Sequence, residues 1–536
     1  MAVEAGPLTT LVALNRFGLG ARPGDFAAAS GDPRGFLVQE LKKPDIAALS
    51  ANGLPSSAEA LQQLFEQQEQ RKREREQKPP QSAPVAAAGD MPSGQPKPAE
   101  TTPALQTPPP MAAAPQPDMG GGQMGGNAMG GGQTGGGQTT GGQPVQPPSP
   151  GAAPAMTPDG KPQPKPSAAR DLYREEAMAR FQKQAQADAG FVERLVAFWS
   201  NHFAISAGKG EFVRAVVGSF EREAVRPHVL GRFGDMLKAV EQHPAMLFYL
   251  DNQSSIGPNS KAGKNRGKGL NENLAREILE LHTLGVDGGY SQADVTSLAR
   301  IITGWTFVGR EGRGGVPGTF FFFANAHEPG DHTLLGKRYQ QAGITQGETA
   351  LGDLARHPAT ARHIATKLAR HFIADDPPPP LVERLTKTFR DTDGDLAELS
   401  MALIQDDDAW RAPMTKMRSP SEFITAIVRA TGVLPPEPQP ILGALLALGM
   451  PTWTPPGPNG FPDTAAAWAS PEAMKVRLDV AWRAAQRSKD TGQPIALLEQ
   501  VAGLAASNET REAIGRAESR QQALAILFMS PEFQRR

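Results

Sequence analysis

Glu277 and Glu280 stand three residues apart, with Asn273 and Arg276 close by, in the stretch NENLAREILELHTLGVDGGYSQADVTSLARIITGW from Asn271 to Trp305. On a helix turning by about 100° per residue, Leu274, Ile278 and Leu281 make one apolar stripe, and Asn273, Arg276, Glu277 and Glu280 share another face. Such a face has two uses. It can line a buried pocket, where paired carboxylates bind a cation or exchange protons. It can equally be a solvated helix surface. His282 projects elsewhere on an ideal helix, so helix geometry alone does not make it a metal-binding partner of Glu277. Leu279 sits three before His282, so Glu-x-x-His is missing. His-Glu-x-x-His is missing too.

Two other clusters carry ionisable groups. Asn201-His202 ends the segment FVERLVAFWSNHF, where a histidine serves as a cap, a core partner or a ligand. In GTFFFFANAHEPGDHTLLG, His327, Glu328, Asp331 and His332 crowd one turn. That turn is the most metal-like in composition, but no ligand spacing makes it specific. The loop SSIGPNSKAGKNRGKGL superficially suggests a phosphate loop. It has one residue too many between Gly257 and Gly263, and Asn265 stands where Ser or Thr should follow Lys264, so a nucleotide site is rejected. Lys261, Lys264, Arg266 and Lys268 remain as a basic loop that gathers an anion or is simply solvated.

The elements that must position these groups read as helices. Gly285 is a natural helix stop and Asp287-Gly288-Gly289 a turn. Ser291 and Asp294 form a start signal for a second helix running to about Thr303. Further helical patterns cover Leu8–Phe17, Pro33–Leu41, Ser57–Lys78, Ala168 onward, Phe212–Val229, Met236–Leu250 and Thr349–Phe372, with more following to the C-terminus. Phe320–Phe323 suits a short strand, with Thr333–Leu335 returning as its partner in one β-hairpin. Pro79 to Ser167, built from Pro, Ala, Gly, Gln and Thr, is too poor in apolar side chains to offset chain entropy and reads as a disordered insert. The helices on either side look like two arms of a hairpin. The expected architecture is therefore one mainly α-helical domain over residues 8–536, interrupted by that insert at 79–167.

Composition narrows the function classes. The chain has 536 residues, a formal net charge of −1 and no cysteine. A near-neutral balance gives no reason to expect nucleic acid or an anionic membrane as partner. Lack of cysteine excludes disulfides, thiolate metal sites and cysteine nucleophiles. The N-terminus carries no basic-then-apolar leader, and no run of about 18 apolar residues spans a bilayer, so a soluble cytoplasmic protein is the default unless the start is misassigned.

FWSNHF, HPAMLFYLDN, NENLAREILELHTLGVDGGYSQADV, TGWTF, HEPGDHTLLG and PNGFPD occur in this order. Together they resemble a large bacterial family, domain of unknown function 1800, from about Leu11 to the C-terminus apart from the insert. The resemblance implies a mainly helical fold, and no reaction. It implies recurring polar positions at Asn201, His202, Asn271, Glu272, Asn273, Arg276, Glu277, Glu280, His282, Asp294, Trp305 and His327. It also implies frequent export, from which this chain departs, and encoding beside an alkaline-phosphatase-like family, a candidate partner. His332 stands where the family commonly has Lys, so it is not carried over as a ligand.

Two functional readings follow. In the first, an enzyme, Glu277 is a base or ligand, Glu280 a ligand, and His202 and His327 ligands or acids. They would converge on one pocket for hydrolysis of an ester, glycoside or phosphate, with a divalent metal as candidate cofactor and a small molecule or polymer as substrate. In the second, a non-catalytic helical scaffold or partner-binding protein, the same groups form a buried hydrogen-bond network. Either reading makes the insert dispensable. Deleting Pro79 to Ser167 should leave the Tm in a circular-dichroism melt nearly unchanged, because closure entropy varies slowly with loop length; a large drop would show that the insert packs on the core.

Overall fold

Two kinds of punctuation divide this chain into short helices: Ser or Asp caps before them and Pro in their first turns. The computed structural model describes residues 6–49, 53–77, 167–266, 269–488 and 491–536. The elements used below are α1 (Ser57–Gln77), α2 (Ala168–Gln186), α3 (Phe191–His202), α4 (Glu211–Phe220), α5 (Phe233–Glu241), α6 (Asn273–Glu277) and α7 (Gln292–Ile301). The strands β1 (Trp305–Phe307), β2 (Phe320–Phe322), β3 (His332–Leu334) and β4 (Lys337–Tyr339) follow. Then come α8 (Ile344–Ala355), α9 (Pro358–Phe372), α10 (Pro420–Thr431) and α11 (Gln439–Ala447). The fold is mainly helical, as expected.

The described residues up to Arg75 and from Ser167 onward pack in one compact unit. The insert expected at Pro79 to Ser167 lies outside the described residues, except for Ser167. That residue is buried, and its Oγ donates to Glu211 at 3.1 Å. The helix after the insert does not take α1 as its main neighbour. α2 packs along α4 and against α10 instead, and its link to α1 is the Ala168 N–H bonded to Gln67.

The strands correct the expected single hairpin. Phe320–Phe322 pairs antiparallel with Trp305–Phe307, and His332–Leu334 pairs with Lys337–Tyr339. Two backbone turns explain this. Gly304, at φ +80°, turns the chain out of α7 directly into β1. Leu335 and Gly336 both take positive φ, the requirement of a two-residue turn, so Leu335 is a turn residue rather than a strand residue. The expected helix Met236–Leu250 is also broken, because Pro244 disfavours helical geometry at His243. His243 becomes the cap of the next helix, its Nδ1 accepting from the Ala245 N–H at 3.1 Å.

α7 begins with the expected Ser291/Asp294 capping box, and α10 has one at Ser419/Glu422. The core is continuous and aromatic-rich around Trp199, Phe203, Phe233 and Trp305. It also holds charge. Arg16, Arg194, Arg418, Arg429, Arg477 and Arg536 are almost wholly buried, and each donates to backbone carbonyls. These planar donors satisfy carbonyls in the connections between short helices, where no regular ladder reaches.

Among described residues, no helix is long and apolar enough to cross a membrane. One packing contact gives a direct test. Gly347 lies within α8, and a Cβ there would meet the Trp305 ring at 2.4 Å. Gly347→Ala is expected to destabilise by about 1–3 kcal/mol in urea unfolding through overpacking. On an open helix surface the same change would stabilise by about 1 kcal/mol, so the sign decides.

Candidate functional site

The C-terminal end of α3 and the loop Asn459–Asp463 meet as a clamp. Asn201 Nδ2 donates to the Phe461 carbonyl at 2.9 Å, and the Phe461 N–H donates back to Asn201 Oδ1 at 2.7 Å. Gly460 makes the approach feasible. It sits at φ +77°, and a Cβ there would lie 2.4 Å from the Asn201 carbonyl oxygen. The clamped loop carries Asp463 to the end of α9. There the His371 Nδ1–H donates to Asp463 Oδ2 at 2.8 Å. The buried Lys416 ammonium holds the same residue, at 2.8 Å from its carbonyl and 3.2 Å from its carboxylate, and bonds Asp375 at 2.9 Å.

This arrangement sets the protonation states. Burial alone would raise the Asp463 carboxyl, but His371, Lys416 and Arg536 outweigh it and hold it well below the usual carboxylate range. Burial lowers the His371 imidazole below its ordinary value, against the pull of Asp463, and Arg194 and Arg536 lower it further. With Nδ1–H committed to Asp463, Nε2 carries a lone pair, and it is buried without a hydrogen-bond partner. His371 lines a cavity of about 90 Å³. Phe181 of α2, Phe220 of α4, Trp453 and Phe461 supply apolar walls, and Arg194 and Glu422 lie on its lining too.

A second polar line runs beside this one. α9 presents His363, Lys367 and His371 at successive four-residue steps. His202 Nε2–H donates to the His282 carbonyl at 3.2 Å, and Lys367 Nζ donates to His202 Nδ1 at 2.9 Å. Both imidazole nitrogens are thereby assigned, and the ring is neutral. Burial first, and the nearby Lys367 second, push its pKa well down. Burial brings the Lys367 ammonium down to about 8 and, with Lys367 beside it, the His363 imidazole down to about 4. His282 Nδ1 bonds the fully buried Glu241 carboxylate at 2.8 Å.

The sequence candidates divide among several networks. Asn201, His202 and His282 come together at the base of α3, with the His202 and His282 rings 6.2 Å apart. Glu277 adjoins them. Burial raises its carboxyl above the usual range, the neighbouring His282 opposes the rise, and Glu280 adds to it. The ideal wheel separates Glu277 from His282, but residues 278–282 form a π turn, whose i to i+5 bonding reduces that angle. Glu280 is half-buried and accepts from Tyr290 Oη at 3.0 Å. Glu272, Arg276 and Gln292 join α6 to α7 by hydrogen bonds. Asn271 Oδ1 accepts the N–H of Asn273, whose own residue is exposed. Asp294 accepts the Leu335 N–H at 2.7 Å, fixing the β3–β4 turn on α7. Trp305 is buried, and its Nε1 has no hydrogen-bond partner.

His327 enters a different network. Its Nδ1 bonds the Thr303 carbonyl at 3.0 Å, and its ring packs on Phe322. Its neighbours in the same turn are engaged separately, Glu328 with Asn259 and Asp331 with Arg338. The metal-like composition of that turn therefore does not become a common ligand set. Among described residues, no group of three or more His, Asp or Glu could hold a metal ion.

Sequence reasoning overlooked His363, Lys367, His371, Glu241 and Glu422 as site residues. A signal existed in HIATKLARHF, where three basic groups repeat at helical spacing beside Ile364, Leu368 and Phe372. The buried neutral imidazoles give a pH test. Their folded pKa values lie below the unfolded value of about 6.5, so the unfolded chain binds more protons as pH falls. Their contribution is fully present above about pH 6.5 and is lost progressively as pH falls toward about 4, the His363 value. In Tm measurements across this window, His363→Gln should flatten the decline relative to wild type; an unchanged slope would contradict a buried neutral His363.

No protein of curated function and no solved structure matches the chain. The sequence profile of one family, described as protein of unknown function (DUF1800), matches residues 12–535, nearly the whole length, and the chain therefore belongs to the DUF1800 family.

Proposed function

We propose that this protein is a hydrolase in which His371 acts as general base. The observation that carries this reading is the His371–Asp463 pair at 2.8 Å beside a cavity, with His371 Nε2 free of any hydrogen bond. A buried carboxylate on Nδ1–H orients an imidazole and stabilises the imidazolium that forms when Nε2 takes a proton. No serine hydroxyl bonds Nε2, so the nucleophile is water. Water gives its proton to Nε2 as its oxygen attacks, and the imidazolium returns a proton to the leaving group.

The polar groups picked out in the sequence take supporting places in this reading. Asn201 positions the Asp463 loop. His202 and His282 flank α9, with Lys367 between His202 and the His371 end of the helix, and Glu277 interacts with His282. Glu280 and His327 are held by Tyr290 and Thr303, outside the His371 pair. A divalent metal is not required by this chemistry.

A structural reading is favoured by one further observation. The buried guanidinium of Arg226 holds Glu193 and Glu221 at 2.7 and 2.9 Å, with Trp453 Nε1 also donating to Glu221. Groups so completely paired act as a scaffold, and the proposed reaction uses none of them.

His371→Gln should lower kcat/KM for hydrolysis by on the order of 10²–10⁴ with little change in Tm. Wild-type kcat/KM should rise with pH through a pKa below the ordinary histidine value and be flat at pH 7, because burial disfavours the imidazolium. A panel of carboxylic esters, phosphate esters and glycosides provides the assay. A rate indifferent to His371→Gln would remove the general-base reading.

A further inference from the structure

Three residues lining the cavity beside His371 carry buried side-chain atoms with no hydrogen-bond or ion-pair partner: Arg194 Nε, His371 Nε2 and Thr452 Oγ1. The other polar atoms of Arg194 are used. Arg194 Nη1 donates to the carbonyls of Asn15, Arg16 and Gly18, and Nη2 to Glu422 at 2.6 Å. Unpartnered buried atoms occur elsewhere too, Arg16 Nε and Trp305 Nε1 among them, but here three share the lining of one cavity with room for an occupant. The unmatched inventory defines its chemistry. One guanidinium N–H group and one hydroxyl can donate to oxygen, and one imidazole nitrogen can accept a proton.

Charge balance decides what kind of oxygen. Every carboxylate on the lining already has a cation. Glu422 has Arg194 and Arg536, Asp463 shares Lys416 with Asp375, and Glu221 has Arg180 and shares Arg226 with Glu193, so five cations meet five carboxylates. No surplus positive charge remains to compensate a phosphate dianion, whose burial would be strongly unfavourable. Glycoside cleavage needs a carboxylic acid kept protonated opposite a second carboxylate. Glu422 and Asp463 are held well below the usual carboxylate range by their cationic partners, and Glu221 is held below it against burial by Arg180 and Arg226, so none of the three is that acid. Phe181, Ile205, Phe220, Leu445, Trp453 and Phe461 give the cavity a largely apolar wall, with the neutral polar side chains of Ser200, Ser419, Ser421 and Thr425 among them. The volume of about 90 Å³ is several times what one water needs, so the occupant is small.

We propose that the cavity takes an uncharged ester or lactone of a short apolar carboxylic acid, and that Arg194 Nε–H is the donor to its oxyanion. This rests on the general-base reading of His371. Water attacks the carbonyl carbon and its proton passes to His371 Nε2. The carbonyl oxygen becomes an alkoxide that accepts from Arg194 Nε–H. Collapse of the intermediate re-forms the carbonyl and breaks the C–O bond. The departing alkoxide takes the proton from Nε2–H, giving one carboxylic acid and one alcohol from one ester and one water.

The full-length chain is tested with p-nitrophenyl acetate, p-nitrophenyl phosphate and p-nitrophenyl β-glucoside. The expected result is acetate hydrolysis that falls at least a hundredfold in His371→Gln, with the phosphate and glucoside uncleaved. His371-dependent cleavage of the phosphate or glucoside instead would overturn the ester assignment while keeping His371 as base. No cleavage of any substrate, or acetate cleavage unaffected by His371→Gln, would overturn both.

Arg194→Lys keeps the charge but loses Nε–H, and should lower kcat for acetate by on the order of 10² with KM little changed. Because Arg194 also binds three backbone carbonyls, a second readout uses the unaltered protein. Trifluoroacetone, whose hydrate mimics the tetrahedral intermediate, should raise the Tm, and inorganic phosphate should not. Stabilisation by phosphate and not by trifluoroacetone would contradict the uncharged-carbonyl assignment.

Discussion

A single buried ion pair, Arg194 with Glu422 at 2.6 Å, is the constraint on which the rest of this structure depends. Arg194 projects from α3 and gathers the carbonyls of Asn15, Arg16 and Gly18, which close the N-terminal segment onto the core. Glu422 belongs to the capping box of α10 and also accepts Arg536 at 2.9 Å. Arg536 in turn donates to the carbonyls of Phe372 and His371 at the end of α9. The two ends of the described chain and the helix that carries His371 are thereby joined through one carboxylate. Burial would raise that carboxyl, yet Arg536 and Arg194 hold it charged. Removing either partner would strand a charge in the core, which costs about 3–5 kcal/mol in general, whereas the intact pair is worth far less in net stability. The pair therefore acts chiefly by specifying geometry.

The same logic separates scaffold from site. Glu193, Glu221 and Arg226 are paired with one another and with Ser200, Trp453 and the Ala47 carbonyl, and such groups have little freedom to react. His371 differs because one nitrogen is fixed and the other is left open. Asp463 reaches it only because Asn201 clamps the loop backbone and Gly460 permits the close approach. The order of causes runs from a glycine conformation, to an amide clamp, to a carboxylate position, to an imidazole tautomer. Each step is a local hydrogen bond, and the last creates a base.

Much of the helical architecture is legible in the sequence, because apolar periodicity and caps such as Ser291/Asp294 act locally. The strands are less so. Pairing Phe320–Phe322 with Trp305–Phe307 depends on the left-handed turn at Gly304, and the β3–β4 turn on positive φ at a leucine, which residue type does not announce. The site is harder still. Asn201 and His202 stand out as polar groups at the end of an aromatic helix; His202 lies beside His282, while Asn201 bonds the Phe461 backbone. His371, by contrast, acquires significance only through Asp463, 92 residues later, and nothing local marks that pairing. The wheel argument about Glu277 and His282 assumes an α-helix, and the π turn at residues 278–282 changes the angle on which it rests.

The central claim is the protonation state of one ring, and it can be read directly. Nitrogen-15 NMR of histidine-labelled protein at pH 7, with His371 assigned by comparison with His371→Gln, reports which nitrogen carries the proton. The account requires a neutral ring with the proton on Nδ1, toward Asp463, and an unprotonated, pyridine-like Nε2. An imidazolium at pH 7, or the tautomer with its proton on Nε2, would contradict it.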